Sequence, residues 1–133
     1  MKFWDSSAIV PLIVSQSRTN ELRAILDDDP GVFVWWATRV ECVSAVSRMT
    51  RESAMNQTAA ESAIRNLRML IDVWNETEPV EKVRETAIRL LRVHPLRAAD
   101  ATQLAAALTT CNGNAGDLQF VSLDERLREA ARK

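Results

Sequence analysis

The chain has 133 residues, of which 47% are hydrophobic, and a formal net charge of −1. This length suits one domain with a substantial core, and the apolar content excludes an intrinsically disordered protein. The small net charge excludes general attraction to polyanions, and no apolar run is long enough to cross a membrane. We therefore expect a single domain over residues 1–133 that is cytoplasmic and carries no signal peptide.

Cysteine and histidine usage argues against a zinc site. Cys42 and Cys111 stand in no paired motif, and His94 is the single histidine of the sequence. Zinc sites need several Cys or His ligands at characteristic spacings. We expect two free thiols, buried or half-buried, in a reducing compartment.

The first predicted strand is short and leads directly into a helix. Lys2–Trp4 is the strand, and the next residues, Asp5, Ser6 and Ser7, are all able to cap the helix. Pro11 is compatible with that helix only in its first turn.

A second strand and its flanking helices follow. Thr19–Asp28 is amphipathic, and residues 32–36 form an unbroken apolar run typical of a buried parallel strand. Trp35 and Trp36 cannot both point inward from that strand, because successive side chains alternate. Residues 38–53 return to a helical pattern, whose shared face is predicted to hold Val40, Val43, Val46 and Ser47.

The second half of the chain is mostly helical. Apolar spacing predicts three helices, over residues 58–72, 80–93 and 98–110, the last of them rich in alanine. Residues 73–78 fit either a short strand or an irregular link. Residues 120–123 are predicted as the last strand, and Asp124 as the cap of a final helix. Short strands separated by helices predict the α/β class, a short parallel β-sheet flanked by helices on both faces.

Four acidic residues follow or open these elements. Asp5 and Asp124 follow the first and last strands, Glu41 lies one turn into the helix after the second strand, and Asp100 opens the alanine-rich helix. Ligands of parallel α/β sheets bind outside the carboxyl ends of the strands, where we expect these carboxylates to converge. Carboxylates without Cys or His favour a hard cation such as Mg²⁺ or Mn²⁺.

Each acid taken singly also fits an ordinary structural role. Asp5 and Asp124 suit helix N-caps, Asp100 suits a helix dipole, and Glu41 suits a solvated surface. These roles explain the set less well, because three of the acids fall at one predicted edge and Asp100 is expected among small apolar residues. We interpret the four as one candidate site for phosphoryl transfer.

The motifs around these acids together resemble a PIN domain, and more closely the VapC toxins of bacterial type II toxin–antitoxin systems. They are DSSA from Asp5, Glu41 early in its helix, LRAADATQLAAA around Asp100 and FVSLDERL around Asp124. The segment around Asp100 is the most specific, and the likeness covers essentially the full length. It implies a Mg²⁺- or Mn²⁺-dependent endoribonuclease whose products carry a 5′-phosphate and a 3′-hydroxyl.

The resemblance also implies roles for the four acids. Asp5 and Asp100 would be the central metal ligands. Glu41 and Asp124 would complete the site directly or through water.

Further residues near these motifs are candidates for supporting roles. Ser6 would hydrogen-bond a ligand carboxylate or the scissile phosphate, and Ser122 would orient Asp124. Arg97 either contacts RNA phosphate or is an ordinary exposed arginine. Asp117 is a fifth acid that would substitute for Asp124 or supplement it.

The implied partners are an RNA substrate and a VapB-type antitoxin whose tail lies in a hydrophobic groove. A homodimer is expected, with the helix over residues 58–72 as a candidate interface, and a heterotetramer or larger complex with the antitoxin. The net charge of −1 requires a local basic face for RNA, for which Arg39, Arg48 and Arg51 are candidates. The sequence leaves the target open among transfer, ribosomal and messenger RNA.

Other interpretations stay open at this point. A catalytically silent PIN-like module would bind RNA or protein without any effect of metal. A phosphorelay receiver domain needs paired acids after the first strand and a late lysine, whereas Asp5 stands alone and no lysine lies between Lys82 and Lys133. A structure-specific DNA nuclease shares the chemistry but normally needs a longer chain.

Overall fold

The computed structural model describes residues 1–111 and 118–132, which form an α/β fold around one four-stranded sheet. All strand pairs are parallel, and the order in the sheet is β3-β2-β1-β4. The predicted fold class is confirmed. The strands are β1 (Lys2–Trp4), β2 (Val32–Trp35), β3 (Asn75–Thr77) and β4 (Gln119–Val121).

Helices cover both faces of this sheet. Those that the structure describes are α1 (Ser6–Ile13), α2 (Thr19–Asp28), α3 (Thr38–Arg51), α4 (Gln57–Ile71), α5 (Glu81–Val93), α6 (Ala98–Thr110) and α7 (Glu125–Ala131). None of them is long and apolar enough to span a membrane.

Alternation along the central strand divides the core into two main clusters. Trp4 packs with residues of α1, α3 and α4, whereas the preceding Phe3 packs on the opposite face with α5 and α6. The first cluster contains large side chains such as Ile9 and Leu67. The second is dominated by the alanines of α6, which let that helix approach the sheet closely.

The ambiguous segment after α4 is a strand, which makes the sheet one strand larger than the three predicted. Asn75 pairs with Phe33 in the register of β3 on β2, and its Nδ2 donates to the Val32 carbonyl at 3.2 Å. Polar strands are typical of sheet edges, where one side faces solvent. Because β3 is polar, its sequence did not distinguish a strand from an irregular link.

The face predicted for α3 is confirmed at Val46, which is buried, but it is wrong at Val40, which is 66% exposed, and at Val43, which is also exposed. The buried side of the helix also holds Thr38, Cys42 and Ala45. These buried residues repeat at intervals of three and four and are small, so apolar size alone pointed to the neighbouring face. The correct face turns Glu41 toward the sheet edge.

Two smaller expectations have different outcomes. Pro11 is the sixth residue of α1 and not a first-turn residue, because the helix begins at Ser6 directly after its cap. It lies two residues before the helix ends and lacks the backbone N–H that would bond the Ser7 carbonyl, so α1 forms one intrahelical hydrogen bond fewer. The alternation of the tryptophans is confirmed, since Trp35 is 8% exposed and Trp36 is 53% exposed.

Candidate active site

Four carboxylates from separate segments of the chain line one cleft. Asp5, Glu41, Asp100 and Asp124 all border a cavity of about 820 Å³. Asp5 follows β1, Glu41 lies in the first turn of α3, Asp100 lies in the first turn of α6, and Asp124 precedes α7. The fold thus brings together the four acids that the sequence singles out.

Asp5 is the most deeply buried member of the group, at 4% exposed. Its Oδ2 accepts hydrogen bonds from Ser7 Oγ at 2.6 Å and from Ser122 Oγ at 2.9 Å, and it caps α1 through Ser7 N at 3.4 Å. Burial raises the pKa of Asp5 above its ordinary value, the hydroxyl bonds oppose that rise, and the nearby Asp100 charge adds to it.

Glu41 carries the clearest electrostatic perturbation in the cleft. Burial raises its pKa to about 7, the charges of Asp5 and Asp100 contribute to the rise, and a hydrogen bond from Gln103 opposes it. Gln103 Nε2 lies 2.7 Å from Glu41 Oε1.

Asp100 and Asp124 hold more exposed positions. Asp100 Oδ2 accepts from the Arg97 backbone N–H at 3.4 Å, a contact at the start of α6. Asp124 Oδ1 accepts from the backbone N–H groups of Arg126 at 3.0 Å and Leu127 at 3.2 Å, so Asp124 caps α7 as predicted. The expectation that alanines embed Asp100 is wrong, because Asp100 is half-buried and the two residues before it are exposed.

Comparison with known proteins identifies the family of the chain. The model of the PIN domain family matches residues 2–133. The chain belongs to the PIN domain family. Two curated relatives are Ribonuclease VapC45 of Mycobacterium tuberculosis (strain CDC 1551 / Oshkosh) and Ribonuclease VapC49 of Mycobacterium tuberculosis (strain ATCC 25618 / H37Rv). Each is 30% identical over 132 residues, covering 97% of this chain and 88% of the relative. The resemblance to VapC-type PIN ribonucleases is confirmed.

Of the supporting residues predicted for the PIN site, some lie at the cleft and others do not. Ser6 lines the cleft, and its hydroxyl opposes the rise in the pKa of Glu41. Ser122 Oγ accepts from the Asp124 backbone N–H at 3.0 Å and donates to the Asp5 carboxylate, so it orients Asp5 more directly than the Asp124 side chain. Arg97 is exposed at the start of α6 and does not border the cleft. The remaining candidate, Asp117, lies outside the described residues.

The three arginines suggested as a basic face are divided among different surroundings. Arg48 borders the acidic cleft, whereas Arg51 borders the groove between α3 and α4. Arg39 pairs with Glu76 at 3.2 Å. The three arginines therefore do not border one surface, and Arg48 is the one member of the three that lines the cleft of the PIN domain.

Sequence reasoning missed three residues at the site, although the chain contained a signal for each. Ser7 follows Asp5 by two residues and contacts its carboxylate. Gln103 is a polar residue in an alanine-rich helix, three positions after Asp100 and so on the same face. Glu52 borders the cleft just after α3, about three turns beyond Glu41.

The donor set of the cleft fits a hard divalent cation that keeps part of its water shell. Among residues 1–111 and 118–132, no three Asp, Glu, His or Cys side chains are already gathered closely enough to hold a metal ion. Mg²⁺ usually takes only one or two protein carboxylates and retains several waters. The carboxylate donors and the raised pKa values of Asp5 and Glu41 suit such an ion, because a cation offsets both burial and mutual repulsion.

Proposed function

We propose that this PIN domain is a Mg²⁺- or Mn²⁺-dependent endoribonuclease that acts as the toxin of a type II toxin–antitoxin pair. The observation that carries the proposal is the convergence of Asp5, Glu41, Asp100 and Asp124 on one cleft. Two relatives that match 97% of the chain are named ribonucleases of the VapC type, which supports hydrolysis of RNA as the reaction.

Asp5 and Asp100 are the proposed central ligands of the cation. Asp5 is suited to this role because Ser7 and Ser122 fix its carboxylate. Glu41 and Asp124 complete the site directly or through water. When bound, the cation would orient the phosphodiester, activate a water molecule and stabilise charge on the leaving oxygen.

Other residues of the cleft serve binding. Ser6 lines the cleft, where its hydroxyl would hydrogen-bond the scissile phosphate. Arg48 is exposed on the same wall, where its guanidinium suits an RNA phosphate. These contacts hold RNA locally, which the chain needs because its net charge is −1.

The proposed partners are RNA and a VapB-type antitoxin. The antitoxin blocks the cleft until it is lost, after which RNA cleavage inhibits translation or growth. We propose a homodimer that assembles with the antitoxin into a heterotetramer or a larger complex.

Mapping of new RNA 5′-ends after induction in a bacterial host tests the activity. Wild-type protein is compared with Asp100→Asn, and with Asp72→Asn as a control that removes the same charge from an exposed position after α4. We expect 5′-phosphate ends at a few sites for wild type and Asp72→Asn, and none for Asp100→Asn. Equal ends for all three proteins contradict the role of Asp100.

Purified protein incubated with total RNA separates an enzyme from a binding module. Cleavage that depends on Mg²⁺ or Mn²⁺ and stops with a chelator supports the proposal. RNA that is bound but stays intact with either metal favours the alternative, a catalytically silent PIN-like module.

A further inference from the structure

Gln103 is a polar side chain on the buried face of α6, where it is 1% exposed. Its Nε2 donates to Thr38 Oγ1 at 3.1 Å and to Glu41 Oε1 at 2.7 Å. An amide nitrogen carries two hydrogens, so both are used. Both acceptors belong to the first turn of α3, and Gln103 therefore joins that turn to α6 beside the acidic cleft.

Packing alone explains this residue poorly. Gln103 Oε1 accepts no hydrogen bond from the described part of the chain, and a buried acceptor without a donor costs stability. The neighbours on the same face of α6 are alanines and Leu104, which fill the core without that cost. The contacts that distinguish the amide from a leucine are those to Thr38 Oγ1 and to the Glu41 carboxylate, and only the second reaches an acid of the cleft.

We propose that Gln103 is a positioning residue that holds the Glu41 carboxylate in place for a divalent cation. This inference rests on the proposed function, since it requires the cleft to bind metal. The amide fixes one carboxylate oxygen and so reduces the rotational freedom that cation binding must otherwise remove. Partners of metal-binding side chains commonly act in this way, by orienting a ligand that they do not replace.

Mn²⁺ affinity of the full chain, measured from the electron paramagnetic resonance of the free ion, tests the proposal independently of catalysis. Gln103→Leu is expected to weaken Mn²⁺ binding about 10- to 100-fold, the range for losing the partner of a metal-binding side chain. Gln103→Asn keeps the amide but shortens the side chain by one methylene, so the amide no longer reaches Glu41. This variant is also expected to weaken Mn²⁺ binding. The unfolding temperature of metal-free Gln103→Leu should fall only slightly, because loss of the donor to Thr38 Oγ1 and Glu41 Oε1 is partly offset by removal of the unpartnered Oε1.

A double-mutant cycle with Glu41→Gln separates positioning from a general structural effect. In that background Gln103→Leu is expected to change Mn²⁺ affinity by less than about twofold, since the carboxylate through which Gln103 acts is absent. Thr38→Val is the matched control, because it removes the other acceptor of the same amide and leaves the Glu41 contact. It is expected to change Mn²⁺ affinity by less than about twofold.

Three results would overturn the inference. One is wild-type Mn²⁺ affinity in Gln103→Leu, and another is an equal loss of affinity with and without the Glu41 carboxylate. Either leaves the proposed ribonuclease intact, because wild-type protein still binds Mn²⁺ and cleaves RNA. If wild-type protein neither binds Mn²⁺ nor cleaves RNA, the proposed function fails and this inference fails with it.

Discussion

The inner and outer pairs of acids in the cleft are held by different kinds of contact. The inner pair, Asp5 and Glu41, accepts hydrogen bonds from side chains of other segments, and burial raises both pKa values. The outer pair, Asp100 and Asp124, accepts bonds from backbone N–H groups at the start of its own helices. Helix capping accounts for the contacts of the outer pair, whereas the inner pair needs a reason to keep charge away from water.

A bound cation would offset the cost of burying the charges of Asp5 and Glu41. The two pairs of acids would then have different roles in the proposed site. The inner pair is preorganised by the tertiary fold and offers fixed oxygen ligands. The outer pair faces solvent and is better placed to meet the incoming substrate and the water shell of the ion. Experiments on each pair therefore test separate parts of the proposed site.

Removal of the innermost charge should have the largest effect. Asp5→Asn is expected to reduce RNA cleavage on the order of 100- to 1,000-fold, the range for losing one preorganised electrostatic group. The metal-free variant should be at least as stable as wild type, because a charge that is 4% exposed has been neutralised. Cleavage rates and thermal unfolding measure the two effects, and Asp72→Asn controls for charge.

Slower RNA cleavage together with unchanged or higher stability in Asp5→Asn would show that Asp5 serves function at a cost in stability. If Asp5→Asn cleaves RNA as fast as wild type, Asp5 is not part of the active site. A large loss of stability together with lost cleavage would show instead that Asp5 acts mainly as a structural cap of α1.

The hydroxyl partners of Asp5 should have the next largest effect. Ser7→Ala removes the 2.6 Å bond to Asp5 Oδ2, and Ser122→Ala removes the 2.9 Å bond to the same atom. Each is expected to weaken Mn²⁺ binding about 10- to 100-fold, as other losses of a ligand's partner do. Titration with Mn²⁺ measures this loss. Ser62, which is half-buried and contacts Arg65 on α4 away from the cleft, provides a matched Ser→Ala control.

Loss of affinity in both serine variants but not in the control would tie the inner pair to its tertiary contacts. If all three variants bind Mn²⁺ as wild type does, the hydroxyl network contributes nothing to metal binding, and the contrast between the inner and outer pairs is merely structural.

The raised pKa of Glu41 should have a smaller effect, which appears in the pH dependence of the free energy of unfolding. A carboxyl whose folded pKa lies near 7, above its ordinary 4.5, is destabilising where it is charged. This penalty is full above the folded pKa and disappears as the pH falls toward 4.5. The metal-free protein should therefore gain stability between about pH 8 and about pH 5, and Glu41→Gln should gain less.

Urea unfolding at several pH values in the presence of a chelator measures this difference. The comparison of wild type with Glu41→Gln is required, because the pKa of Asp5 is also raised by burial and Asp5 contributes with the same sign. Identical pH profiles for the two proteins would mean that Glu41 is solvated and not part of the inner pair.

These contrasts also explain how much of the molecule could be read from its sequence. The order of elements along the chain and the edge where Asp5 and Asp124 lie follow from short apolar strands separated by helices. The polar β3 was left open between a strand and a link, and the small-residue side of α3 was missed, because neither is marked by large apolar side chains. Local patterns locate a carboxylate along the chain but do not reveal its partners.

The partners of the inner pair illustrate that limit. Ser122 contacts Asp5 across 117 positions and Gln103 contacts Glu41 across 62. Such contacts depend on how whole helices and strands pack, and no spacing rule connects residues so far apart. Contacts of the outer pair span two or three residues and are therefore accessible from capping patterns.

The smallest effect is expected at Arg97, beside the outer pair. Its backbone N–H contacts Asp100, but its side chain is exposed and does not border the cleft. Arg97→Gln keeps the backbone contact and is expected to change cleavage by less than about twofold, as surface substitutions usually do. Arg48→Gln is the comparison, because Arg48 lines the cleft and its loss should weaken RNA binding and reduce the salt dependence of that binding. Cleavage assays over a range of salt concentrations compare the two variants. A larger loss for Arg97→Gln than for Arg48→Gln would mean that RNA approaches along the start of α6, and that the outer pair meets substrate from the side opposite to α3.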